Sequence, residues 1–337
     1  MQWLNTHTPF LSHLFSLLLI ALSQPAFSGN TESTGRLSFV LENDFFVGND
    51  RNYTNGLKFI WIPNEATKTP EWATKAANAI PWFPKDGTIK HGYAFGQSIF
   101  TPDDITLKNP PKESHPYAGW LYATMGIASE KNNQLDLMTF TLGVVGPAAM
   151  AEDSQKFIHT LINSDDPKGW DTQLKNELGF ILTHKHIWRG VKSFSVNQYE
   201  LDISPYTGAS IGNIHTNASL GATLRFGKNL PQDFGPPRVQ PSMPSGTDFN
   251  PSSQQTNWYA FLGFEGQAVA RNIFLDGNTF RNSRNVDKKP LVADIQFGVV
   301  FDWKDLRLGY THVFRTKQFT TQNSTDGFGS VTLNFAF

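Results

Sequence analysis

Four stretches of this chain concentrate side chains able to do chemistry: Glu42-Asn43-Asp44, the run Asp50 to Gly56 (DRNYTNG), the pair Gln155 and His159, and Phe274 to Asp287 (FLDGNTFRNSRNVD). A histidine held beside a carboxylate and side-chain amides can take up a proton near neutral pH. The spacing of four puts Gln155 and His159 on one face of a helix, a turn apart. Asn43, Asp44 and main-chain carbonyls are hard oxygen donors that suit Ca²⁺. A cation held there could polarise an ester carbonyl and stabilise an oxyanion. Each group also has a plainer reading. Asn-Asp at a strand end and Asn55-Gly56 are ordinary turn chemistry, and a single histidine on a loop helix is usually a surface group. His184 and His186 share one face of a strand and could touch a metal, but a lone pair is weak grounds. Cysteine is absent, which removes disulfides and thiolate zinc sites, and no GxSxG nucleophile elbow occurs.

The elements that must position these groups show a period of two. Ala218, Leu220, Ala222, Leu224 and Phe226 alternate with Ser219, Gly221, Thr223, Arg225 and Gly227. The last residues alternate in the same way and end on Phe337. The pattern predicts about twelve strands, of the length a tilted strand needs to cross a bilayer. They fall at 35–43, 53–63, 91–101, 117–129, 134–145, 178–188, 194–206, 217–227, 256–268, 292–303, 306–316 and 328–337. The expected fold is all-β: a transmembrane antiparallel β-barrel with a short helix, at 149–162, in a long outer loop.

With the N-terminus on the periplasmic side, the outer connections are 44–52, 102–116, 146–177, 207–216, 269–291 and 317–327, and all are long. Three inner connections, 130–133, 189–193 and 304–305, are short. That asymmetry is the one outer-membrane barrels show. Two inner connections break the rule: 64–90, with a possible helix from Glu71 to Ile80, and 228–255, rich in Pro, Ser and Gln and read as a mobile or polyproline-II-like segment. The first three chemical groups fall at the outer rim.

Charged residues make up 17% of the chain, below the quarter usual in soluble domains, and a membrane barrel is not excluded, because its alternating strands average out in hydropathy. A net charge of −1 gives no ground for a nucleic-acid partner. Residues 1–28 read as a signal peptide, with an apolar core from Leu14 to Leu22 and cleavage after Ser28, leaving 29–337 as a single barrel. No apolar run after residue 30 is long enough for a spanning helix. Composition and spacing thus support a barrel with a polar outer rim, and no more.

The segments ENDFF (42–46), RNYTNG (51–56), HPYAGWLY (115–122), LGVVGPAA (142–149), Gln155 with His159, PKGWDTQL (167–174) and FLDGNTFRNS (274–283) together resemble the lipid A 3'-O-deacylases of the outer membrane. The resemblance covers nearly all of the mature chain. It implies a twelve-stranded barrel, facing the cell exterior with its site, that removes an acyloxyacyl chain from lipid A and needs Ca²⁺. It places the family's Asn-Asp pair on Asn43 and Asp44, its strand-2 Thr on Thr54, and its Gln and His on Gln155 and His159. The acidic residue six beyond the histidine, a Glu in a studied member of the family, is Asp165 here, one methylene shorter; with Asn43 and Asp44 it is an expected metal ligand. Lys108 and Lys112 are candidates for the family's basic residues. The mechanism implied is water attack on the 3'-linked ester: His159 takes the proton, Ca²⁺ near Asn43 and Asp44 stabilises the oxyanion, and Thr54 and Gln155 orient water or substrate. The expected substrate partner is lipopolysaccharide, and the expected state a monomer. Two other readings stand beside this one: an outer-membrane phospholipase, using Ser154 or Ser98, and a channel or structural barrel without activity.

Overall fold

The alternating segments fold as strands joined edge to edge, each antiparallel to its neighbours. The structure, a computed structural model, describes residues 35–47, 52–63, 69–235 and 256–336; the signal-peptide segment 1–28 lies outside them. The strands are β1 (Gly35–Asn43), β2 (Asn52–Pro63), β3 (Thr88–Thr101), β4 (Ala118–Lys131), β5 (Gln134–Val145), β6 (Glu177–Trp188) and β7 (Lys192–Val196). They continue as β8 (Tyr199–Gly212), β9 (His215–Lys228), β10 (Asn257–Asn272), β11 (Leu291–Trp303), β12 (Leu306–Arg315) and β13 (Asp326–Ala336). The helices are α1 (Glu71–Ala79), α2 (Ala151–Ile162) and the single turn α3 (Ile273–Asp276). Pairing of β1 with β13 and of β6 with β8 closes a ring of twelve strands, leaving β7 outside it. A closed ring leaves no open sheet edge to satisfy within a bilayer.

The strand expected at 194–206 is instead a hairpin. Val196 ends β7, Asn197 takes a left-handed conformation (φ 57°), and Tyr199 begins β8. Asn suits such a turn, and two turn residues leave the alternation unbroken, so the period could not reveal it. Strand β8 therefore runs on to Gly212, and the long outer loop expected at 207–216 is only Asn213 and Ile214. Pro205 falls where β8 exchanges β7, last paired at Ile203, for β6, first paired at Tyr206, and there its missing N–H costs no ladder bond.

The barrel is apolar outside and polar inside. Phe95 (54% exposed), Leu220 (68%) and Val299 (55%) point outward, while Arg225, Arg307, Arg315, Asp294 and Glu265 are buried within. This inversion is what a lipid-facing wall requires. Each interior arginine has a carboxylate: Arg225 pairs with Asp202 at 2.6 Å and Asp233 at 2.7 Å, and Arg315 with Asp294 at 2.5 Å. Arg307 pairs with Asp302 at 2.5 Å and also reaches Asp233. Asp233 belongs to the connection expected to be mobile or polyproline-II-like. Its first part turns into the lumen instead, where Phe234 lies under the Arg189 guanidinium and Arg189 donates to the Gln232 carbonyl at 2.6 Å. Residues 236–255 of that expectation lie outside the described residues. An interior of paired charges around an inserted segment gives the channel reading no support.

Helix α1, in the connection expected at 64–90, packs Ala73 and Ala77, with Phe83, on Ile127 of the outer wall. Call the rim where β1 begins and β13 ends the terminal rim, and the other the distal rim. At the distal rim the loops interlock. Arg284 donates to the Pro110 and Pro111 carbonyls at 2.8 and 2.5 Å, and Thr321 to the Glu113 carbonyl at 2.6 Å. Phe100 stacks between Phe274 and His115.

Candidate functional site

Alternation along β1 puts Asn43 on the same outward side as Leu37, Phe39 and Leu41, with Asn55 of β2 directly opposite. Asp44 opens the 3-10 turn that follows and is buried. Register slips between Tyr53 and Asn55, and Thr54 is the extra residue of the resulting bulge. Tyr53 keeps its place inside, donating to Glu42 at 2.9 Å, while Thr54 pairs its hydroxyl with that of Thr101 at 2.7 Å. Bulges of this kind re-aim a side chain at the end of a ladder.

Helix α2 lies against the outside of the wall. Gln97 and Gly119 both sit on the outward side of their strands: Gln97 pairs across with Leu57, and Gly119 is two residues before Leu121. Gln97 Nε2 donates to the Ala149 carbonyl at 2.7 Å. A Cβ on Gly119 would stand 2.4 Å from the Cβ of Ala151, so only glycine lets the first turn of the helix this close. The buried side of α2 carries Ala151, Gln155 and His159, and the opposite side exposes Phe157 and Leu161, each 65% exposed. The helix thus holds its polar pair against the wall and shows apolar side chains outward, where lipid would lie.

The histidine is oriented by the way the helix ends. Asn163 adopts a left-handed conformation and its N–H closes on the His159 carbonyl, as does that of Ser164. The chain doubles back and brings the Asp165 carbonyl to 2.5 Å from His159 Nδ1. A carbonyl can only accept, so Nδ1 carries a proton; in the neutral ring the lone pair then falls on Nε2, which is the tautomer of a base. Asp165 meets His159 through its main chain, and its carboxylate is exposed. That the side chain is one methylene shorter than a Glu therefore does not affect this contact. Gln155, one turn earlier, accepts a hydrogen bond from Trp170 Nε1 at 2.9 Å. Trp170 stands on Tyr117 in a buried cluster with Ile99, Ile105 and Ala151. Thus Gln155, His159 and Asp165 form one contiguous unit. Asn43 lies at the same distal rim, paired across with Asn55, the chain neighbour of Thr54, and Asp44 follows directly in the chain.

Other candidates are engaged elsewhere. Both His184 and His186 bond the same Asp136 carboxylate oxygen, at 3.0 and 2.8 Å. Among the described residues no group of three or more His, Asp or Glu side chains gathers to hold an ion. Lys108 and Lys112 are exposed on the loop after β3. The stretch from Phe274 to Asp287 is a clasp: Asn278 exchanges two hydrogen bonds with the main chain of Lys175, at 2.8 and 2.9 Å. Burial pushes His115, in the β3–β4 loop, down to about 4, so it stays neutral at physiological pH. Ser154 donates back to the Met150 carbonyl and Ser98 is buried on the inward side of β3, so nothing favours a serine nucleophile. The Trp170 clamp, the Thr54 bulge and Gln97 carried no sequence signal of their own; Trp170 lay within a matching motif without an assigned part.

Comparison with protein families matches residues 14–337 to the family described as outer membrane protein LpxR. Among solved structures, LpxR from Salmonella typhimurium superposes with a TM-score of 0.72 at 17% identity, covering 90% of this chain and 100% of that one. The beta domain of the Bordetella autotransporter Brka has a TM-score of 0.44 at 9% identity, over 91% of this chain and 100% of that one. The outer membrane enzyme PagL has a TM-score of 0.27 at 12% identity, over 47% and 90%. Comparison with curated protein sequences gives no significant match. With the family matched over nearly the whole length and the closed twelve-stranded ring in common, the chain belongs to the LpxR family of outer membrane proteins.

Proposed function

We propose that this barrel is a lipid A 3'-O-deacylase, a carboxylic-ester hydrolase acting on lipopolysaccharide from the distal, cell-exterior rim. The observation that carries the reading is the His159 tautomer, fixed by the Asp165 carbonyl on the outer side of the wall. A base placed there can meet a substrate that never leaves the leaflet. Water attacks the carbonyl carbon of the 3'-linked ester and its proton passes to His159 Nε2. When the bond to the sugar oxygen breaks, the same nitrogen returns the proton, giving a free 3'-hydroxyl and an acyloxyacyl carboxylic acid, which then loses its proton to solvent. Thr54 and Gln155 orient water and ester, and Phe157 and Leu161 meet acyl chains.

The end of β1 offers oxygen donors: the buried Asp44 carboxylate beside the Asn43 amide, with main-chain carbonyls. This set fits Ca²⁺ and not a softer metal. With one carboxylate in place, and the exposed Asp165 as a further donor, the ion would be held weakly. When bound it supplies positive charge to the ester oxygen. The barrel is expected to work as a monomer, since the unit just described comes from one chain.

Lipid A mass spectrometry on cells expressing the chain tests the reading. The wild type should remove the mass of the 3'-acyloxyacyl group and His159→Ala should leave it. Unaltered lipid A in both, with phospholipids hydrolysed, would move the assignment to a phospholipase.

A further inference from the structure

Gln155 is only 2% exposed, and its amide is used on one edge alone. An indole N–H can only donate, so the bond from Trp170 Nε1 requires the amide to turn Oε1 toward Trp170. The amide is planar, so Nε2 then lies on the opposite edge. Nε2 is buried and makes no hydrogen bond among the described residues. A buried amide nitrogen left in this way is costly unless a ligand completes it. It needs an acceptor, which excludes a cation and favours a carbonyl oxygen. It also lies on the same helix face as His159, one turn away.

We propose that Trp170 is a positioning residue that locks the Gln155 amide with its Nε2 toward the substrate, so that Nε2 donates to the ester oxygen as charge builds on it. This rests on the deacylase reading. As water adds to the carbonyl carbon, the carbonyl electron pair moves onto that oxygen, where the Gln155 N–H strengthens its bond; the pair returns when the sugar oxygen leaves. Without Trp170 the amide can turn over and offer its own oxygen to the developing charge, which repels it. The packing that fixes Trp170 is itself rigid: the ring lies 4.8 Å from Tyr117, and its neighbour in the same loop, Lys168, donates from its main chain to the Ile105 carbonyl at 2.8 Å.

The test is a double-mutant cycle on the full-length barrel in detergent, with lipid A as substrate. Trp170→Phe keeps the ring and removes the donor; Gln155→Met keeps the bulk and removes the amide. Trp170→Phe should lower kcat about tenfold with little change in KM, because the interaction it supports matures in the transition state. In the Gln155→Met background the same change should have no further effect on kcat. Heat-modifiable migration checks that each barrel is folded. An equal loss in both backgrounds would mean that Trp170 only supports the loop, and overturns the proposal. So does full activity of Trp170→Phe beside an active wild type, which would leave the deacylase reading intact. A wild type that leaves lipid A untouched defeats that reading and this one with it.

Discussion

Gly119 is a point of close approach between the wall and α2, and under the proposed deacylase function its replacement by alanine should remove activity without unfolding the barrel. The added Cβ would sit 2.4 Å from that of Ala151 and 3.1 Å from that of Ala149, whereas ordinary contact begins at 3.4 Å. Both neighbours are methyl groups on a short rigid stretch, so relief requires the first turn of α2 to retreat by about 1 Å, a displacement that can cost on the order of a hundredfold in rate when it moves a catalytic group. Gln155 and His159 ride on that helix one and two turns further on. Gly119→Ala should therefore lower kcat/KM by one to two orders of magnitude, roughly, while heat-modifiable migration stays normal. Ala151→Gly removes the opposing methyl, and the double variant Gly119→Ala/Ala151→Gly should recover most of the loss, less a helix-propensity cost of about 1 kcal/mol. The assay is release of acyloxyacyl acid from purified lipid A. Unchanged activity in Gly119→Ala, or a double variant no better than the single, would refute the argument that this contact sets the position of the helix.

Two further outcomes follow from the same structure. His115 is neutral when folded, held down to about 4 against an ordinary value near 6.5, so as pH falls from 6.5 toward 4 the opened state gains a proton first and stability drops by about 3 kcal/mol. Above 6.5 the histidine contributes no slope, and in His115→Phe the acid-side loss measured by thermal unfolding should shrink; an unchanged profile would place the acid sensitivity elsewhere. Chelation should abolish hydrolysis, and restoration should need about 10⁻⁴–10⁻³ M Ca²⁺, as expected for a site with so few carboxylates. Asp44→Asn should raise that requirement, whereas full activity in chelator would remove calcium from the account.

Period-two alternation located the ring strands because one side of every strand must face lipid and the other a polar interior, and a chain cannot satisfy both without alternating. The same rule hid the β7–β8 hairpin, since a turn of Asn197 and Gln198 preserves the alternation across it. The inward course of residues 231–235 was illegible for a different reason: Asp233 is buried by Arg225 and Arg307, which come from two separate strands, and no local pattern records that. In the site, the spacing of Gln155 and His159 fixed their common helix face. Their placement outside the wall depends on the missing side chain of Gly119, and the orientation of each depends on a residue across a loop, Trp170 for one and Asp165 for the other. Asp165 shows how the two sources of information differ: its position was readable, but its main-chain carbonyl, which every residue has, makes the contact.

The most direct test of the central claim, that His159 drives water onto the 3'-ester, is hydrolysis by the purified barrel in ¹⁸O-labelled water. The account predicts one labelled oxygen in the carboxylate of the released acyloxyacyl acid, none in the new 3'-hydroxyl, and no release by His159→Ala. Label in the sugar hydroxyl, or release undiminished in His159→Ala, would contradict it.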